Sequence, residues 1–120
     1  MAIKIKSFST LRISVADVLQ SADWYCALFD IESAERTQEF ASFRIKGIQL
    51  DIAHADEKSP VTNGGCVGYW LVDDLTEVLK KVEQLGGKIY RGPLKVEVTQ
   101  RTILQVKDPF GNILGFESPF

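Results

Sequence analysis

Leu11, Ile13 and Val15 alternate with Thr10, Arg12 and Ser14, the period-two pattern of a strand buried on one face. The period then changes to that of a helix. Val18, Ala22, Tyr25, Cys26 and Phe29 recur at helical intervals, and Asp17 with Gln20 three positions on has the capping-box spacing, so a helix is expected to about Phe29 with Asp30 at its end. Short alternating runs follow at 33–36, 39–45 and 48–53, the last two joined by a turn at Lys46-Gly47. A stretch of turn composition, HADEKSPVTNGG at 54–65, leads to the same order again. A strand is expected at 67–72 and a helix capped by Asp74 with Glu77. Its stripe is Leu75, Val78, Leu79, Val82 and Leu85, and Gly86-Gly87 offers a left-handed C-cap. Runs at 88–91, 96–106 and 113–117 complete the chain, the last two joined by KDPFGN. There Asp108 can bond its own backbone, Pro109 fixes φ, and Gly111 and Asn112 tolerate positive φ.

The two halves are copies of one plan. A shift of 57 carries Val15, Asp17, Val18 and Leu28 onto Val72, Asp74, Leu75 and Leu85, whereas the closing strands need 64 to carry Leu50, Asp51 and Ile52 onto Leu114, Gly115 and Phe116. The difference places an insertion around Gly92 to Thr99 of the second unit. We therefore expect an α+β domain spanning 1–120, made of two βαβββ units at about 8–54 and 66–118.

Composition narrows the partners. At 120 residues, 45% hydrophobic and 25% charged, the chain can bury a core. A net charge of −2 and a pI near 5.4, with no clustered basic excess, argue against nucleic acid or an anionic membrane. No apolar run is long enough to span a bilayer, and the start MAIKIKSFST lacks a secretory signal, so a cytoplasmic protein is expected. Cys26 and Cys66 lack a CxxC spacing and read as reduced thiols. Cys66 is a reactive-thiol candidate only if exposed and acidic. His54, the sole histidine, falls where a strand runs into the linker and reads as an edge residue rather than a general base.

A doubled βαβββ plan whose second half runs from VDDL through a helix ending LGG to DPFGN and a final strand resembles the vicinal oxygen chelate superfamily of glyoxalase I, extradiol dioxygenases and bleomycin and fosfomycin resistance proteins. The resemblance implies curved mixed sheets around a cleft, helices on the outer face, and a homodimer. It also implies metal ligands at the first residue of each opening strand, here Thr10 and Val67, and in each last strand, here Asp51 and Gly115. Val67 and Gly115 have no side-chain donor and Thr10 is a poor one, while a catalytic ion needs about three protein donors. No metal and no cofactor are therefore expected.

Strand parity predicts the cleft face: Thr10, Arg12, Ser14, Gln49, Asp51, Ala53, Val67, Tyr69, Leu71, Ile113, Gly115 and Glu117. The opposite face, from Leu11 to Phe116, is nearly all apolar and should pack on the helices. A mixed face of this kind suits a small-molecule ligand. The ligand-binding candidates are Thr10, Arg12, Gln49, Asp51, Val67, Tyr69, Gly115 and Glu117, with Phe40 and Tyr90 at the rim. Arg12 and Asp51 either pair with each other or meet a ligand. Two functions follow: a metal-free binding protein of the bleomycin-resistance type, holding its ligand in a dimer cleft, or a glyoxalase-, lyase- or dioxygenase-like enzyme with Asp51 or Glu117 in acid–base roles. A regulatory module with a vestigial cleft is a third.

Overall fold

The computed structural model describes residues 3–61 and 65–120. The chain runs β1 (Thr10–Val15), α1 (Val18–Phe29), β2 (Glu35–Arg36), β3 (Phe40–Ile45) and β4 (Ile48–His54), then β5 (Tyr69–Leu71), α2 (Leu75–Gln84), β6 (Lys88–Val96), β7 (Arg101–Lys107) and β8 (Ile113–Pro119). Two mixed four-stranded sheets result, ordered β1-β4-β3-β2 and β5-β8-β7-β6, each with one helix. In both, the opening strand pairs in parallel with the closing one and the rest are antiparallel. The fold is two βαβββ units.

Local chemistry sets the helix ends as expected. Asp17 accepts from the backbone N–H of Gln20 at 3.0 Å, and Asp74 from that of Thr76 at 2.8 Å, each satisfying one of the amides a helix start leaves free. Asp30 closes α1 in the left-handed conformation at φ 54°, and Gly86 does the same beyond α2 at φ 79°. Between the units, Leu50, Ile52, Leu104, Leu114 and Phe116 join Val15, Tyr25 and Phe43 in one buried cluster against the helices. The apolar parity face is thus the core face, and each such side chain contributes about 1.5–3 kcal/mol when fully buried.

Three boundaries differ from the sequence reading. The strand expected at 67–72 forms only over Tyr69–Leu71, because only these residues ladder with Gly115, Phe116 and Glu117. Val67 consequently lies before the strand, and Gly68 borders it, its carbonyl accepting from the Gly115 N–H of β8 at 2.9 Å. The run expected at 96–106 is split: β6 continues through a cis Gly92-Pro93 bond to Val96, and a turn with Gln100 N–H donating to Glu97 O precedes β7. Register locates the insertion. Glu35 pairs with Ser42 and Arg91 with Gln105, so the offset between units rises from 56 to 63 within this hairpin, a seven-residue extension. Finally, the predicted linker begins one residue later, since His54 belongs to β4; its residues 62–64 lie outside the described residues.

The KDPFGN turn does more than reverse the chain. Asp108 Oδ1 accepts from the N–H groups of Phe110 (2.9 Å) and Asn112 (2.8 Å), and its Oδ2 accepts from the Tyr25 hydroxyl of α1 at 2.5 Å. Only Gly111 takes positive φ, at 95°. Asn112, also expected to tolerate it, is buried and donates its side-chain amide to Ser14 O of β1 at 3.1 Å. The turn of unit two is thereby bonded to the helix and first strand of unit one.

Candidate functional site

Residues paired directly across a ladder share a face. Thr10 pairs with Gln49, Arg12 with Asp51 and Ser14 with Ala53, while Tyr69 pairs with Gly115 and Leu71 with Glu117. Arg12–Asp51 and Tyr69–Gly115 are equivalent pairs, offset by the same 57 and 64 that related the halves in sequence. Side chains on these faces mostly bond one another. Gln49 Nε2 donates to the buried Asp51 at 2.8 Å, Arg101 Nη1 to Glu117 at 3.0 Å, and Gln105 Nε2 to the Tyr69 hydroxyl at 2.6 Å.

Asp51 is thus held by Gln49, and Arg12, its register neighbour, joins no ion pair among the described residues. Arg12 is exposed and lines a cavity of about 320 Å³ with Ser14, Cys66, Asn112 and Ile113. Glu117 sits on the other sheet beside Arg101, so the two candidate carboxylates belong to different sheets and have different partners. Phe40 pairs with Ala53 on the first face. Tyr90 is exposed at an irregularity of the β6–β7 ladder. His54 is exposed at the end of β4, Cys66 is exposed, and Cys26 is half-buried in α1; both thiols are free.

Pairing also adds residues the sequence reading missed. Ser42 and Arg44 of β3 lie opposite Asp51 and Gln49, and Ile103 and Gln105 of β7 lie opposite Glu117 and Gly115. Their signal was available: antiparallel pairing across the Lys46-Gly47 and DPFGN turns carries the cleft parity onto the neighbouring strands.

The family's metal does not fit these residues. Thr10 offers a neutral hydroxyl, Val67 and Gly115 offer nothing, and Asp51 is already hydrogen-bonded. At Gly115 the obstacle is also steric. A Cβ there would stand 2.6–2.8 Å from three atoms of the Tyr69 ring, closer than carbon atoms approach, so the ring fills the space where a ligating side chain would begin. Among the described residues no three His, Cys, Asp or Glu side chains converge.

The clearest electrostatic perturbation lies behind the faces, at the brace between units. Burial, then the neighbouring Asp108 carboxylate and the hydrogen bond to it, hold the Tyr25 phenol well above its usual range. Burial raises Asp108 as well, against the opposing effect of the bonds it accepts from Tyr25 and the turn amides.

A larger cavity, about 690 Å³, opens on the helix side. Leu28 and Phe29 of α1, Trp70 and Val72 around β5, and Val78 of α2 form its walls, with Lys46, Glu77 and Lys81 at its margin. The parity reading placed the pocket on the polar face; the lining of this one is mostly apolar and draws on both units, from Leu11 and Phe29 to Trp70 and Val78. In the wall, the indole N–H of Trp70 is the one buried side-chain polar atom among the described residues without a partner, a deficit of about 1–3 kcal/mol. The other indole, Trp24, donates to Leu85 O at 2.6 Å.

The chain is thus two βαβββ units, joined through a braced turn and carrying one mixed polar face each. The chain belongs to the Glyoxalase/Bleomycin resistance protein/Dioxygenase superfamily, which it matches over residues 7–116. Solved structures agree on the fold. A protein from Agrobacterium tumefaciens solved in solution is similar at a TM-score of 0.82 and 20% identity, covering 97% of this chain and 99% of that one. A glyoxalase/bleomycin resistance protein/dioxygenase family enzyme from Burkholderia phytofirmans PsJN gives 0.80 at 13% identity, covering 93% and 98%. A glyoxalase/bleomycin resistance protein from Albidiferax ferrireducens T118 gives 0.75 at 19%, covering 92% and 98%. No curated protein matches the chain. Among the described residues no helix is long and apolar enough to cross a membrane.

Proposed function

We propose that the protein is a metal-free small-molecule-binding protein of the bleomycin-resistance type, cytoplasmic, working as a homodimer whose polar sheet faces close over a ligand. The observation that carries the reading is the Tyr69 ring lying over Gly115, which replaces a ligand position with an aromatic wall. Arg12, exposed and outside any ion pair among the described residues, supplies a cation for a carboxylate or phosphate, and the Tyr69 ring a stacking surface. An acid–base enzyme is less well supported, since Asp51 and Glu117 are engaged by Gln49 and Arg101. A dimer would cover some of the exposed apolar side chains at Ile3, Ile5, Leu71, Ile89 and Val98.

Thermal-shift screening with anionic and aromatic compounds should find a stabiliser whose effect shrinks in both Arg12→Ala and Tyr69→Ala. Stabilisers indifferent to both substitutions would remove the cleft from the proposal. Stoichiometric zinc, iron, nickel or manganese in purified protein, lost on Asp51→Ala, would overturn the metal-free reading, and a monomer at micromolar concentration would overturn the dimer.

A further inference from the structure

The helix-side cavity lies mainly on the core side of the sheets, since Leu11, Ile48, Trp70, Val72 and Phe116 in its lining have the core parity, and it meets the cleft face only at Tyr69 and Leu71. Its volume of about 690 Å³ falls within the roughly 300–1,000 Å³ typical of small-molecule sites. The lining is aromatic and aliphatic, and its charge is confined to Lys46 at the β3–β4 turn and to Glu77 and Lys81 on α2. Glu77 and Lys81 stand four apart on the helix, yet neither forms an ion pair among the described residues, nor does Lys46. The margin therefore carries two ammonium groups against one carboxylate. Its lining includes the ring of Trp70, whose buried N–H finds no acceptor among the described residues.

From these features we infer a second binding site, for a medium-chain alkyl carboxylate. The alkyl body replaces water against the apolar walls, and the carboxylate meets Lys46 and Lys81. Positive charge at the margin selects an anion over a cation of the same shape. The site does not depend on the anion capture proposed for the cleft, because Arg12 takes no part in it, although Tyr69 borders both.

Decanoate titrated into the full chain, followed by tryptophan fluorescence and calorimetry, tests the site. One molecule should bind per chain with a change in Trp70 emission, which Trp70→Phe removes while Trp24 still reports the fold. Lys81→Gln and Lys46→Gln should each weaken binding about tenfold, as expected for loss of a charge-assisted contact, and Val78→Trp should block it by filling the cavity. Decanol, equal in length but neutral, should bind at least as weakly as decanoate does to the lysine variants. Arg12→Ala should leave the decanoate titration unchanged, so that failure here and failure in the cleft are told apart. Decanol binding as tightly as decanoate, or lysine variants matching the parent, would overturn the anionic ligand. No decanoate bound by the parent, or binding that vanishes as chains associate, would overturn the site and leave a second copy of the chain as its cover.

Discussion

Tyr25 and Val82 occupy equivalent positions on the two helices, 57 residues apart, and both are buried, yet they support very different amounts of structure. Beside them, Trp24 of unit one corresponds to Lys81 of unit two. The first helix therefore turns an indole and a phenol inward. Trp24 meets Tyr25 edge-on at 4.9 Å and Phe110 at 6.2 Å, and Phe29, one turn on from Tyr25, reaches Trp70 of unit two at 5.1 Å. At the matching positions the second helix has a valine with a lysine beside it, and the cavity opens between this helix and the end of the first. A duplicated plan has become a filled unit that holds the molecule together and a less filled one with room for a guest.

The largest effect expected from this difference is in stability. Tyr25→Ala removes a fully buried ring and leaves Asp108 with a buried carboxylate oxygen unpaired, and should cost about 3–5 kcal/mol in urea unfolding. Val82→Ala, the matching truncation in unit two, removes two methyl groups and should cost ~2 kcal/mol. Equal losses would mean that α1 does not carry the extra burden its contacts suggest.

A smaller effect tests the replaced ligand position. Gly115→Ala drives a methyl group into the Tyr69 ring and should cost about 1–3 kcal/mol through overpacking. Its unit-one equivalent, Asp51, already carries a full side chain in the same register, so the penalty is specific to the ring and not to the strand. Combining Gly115→Ala with Tyr69→Ala should recover most of the loss that Gly115→Ala adds to the parent, a coupling readable in a double-mutant cycle. Additive losses would show that the ring moves aside freely.

Most of the architecture was legible in the sequence because period, caps and turns agree with one another: Asp17, Asp74, Asp30 and Gly86 end their helices where the pattern placed them. The sidedness of the strands was equally legible, since a parity rule needs only a correct register. What the pattern left open depended on partners distant in the chain or on which near neighbour takes a polar group. β5 is short because its pairing with β8 spans only three residues, and nothing within 67–72 encodes that. Of the two readings weighed for Arg12 and Asp51, the mutual ion pair does not form among the described residues; Gln49, two residues from Asp51 on the same strand face, bonds the carboxylate. The helix-side cavity was invisible because it depends on how far α2 sits from its sheet, which a stripe of apolar residues does not specify.

The smallest expected effect concerns the brace that ties the two units. Burial raises the Asp108 pKa in the folded chain, so the fold holds that proton more tightly than the unfolded chain does. The stability this contributes is complete below the ordinary carboxylate value near 3.9 and drains as pH rises through the raised folded value. Asp108→Asn keeps an oxygen for the Phe110 and Asn112 amides and presents an amide nitrogen to the Tyr25 hydroxyl, so its fold should survive while its titration is lost. The difference in urea midpoint, parent minus variant, should fall as pH rises above the ordinary carboxylate value of about 3.9, since every other carboxylate cancels in the subtraction. Tyr25, raised by the same burial, should make the parent lose stability again only in alkali above about pH 10, where the unfolded phenol ionises and the folded one does not. A difference that is flat across the acid range, or that rises with pH, would mean that the turn amides and the phenol already satisfy an ionised Asp108, and that the less filled unit is anchored to the filled one by a charge rather than by a buried acid.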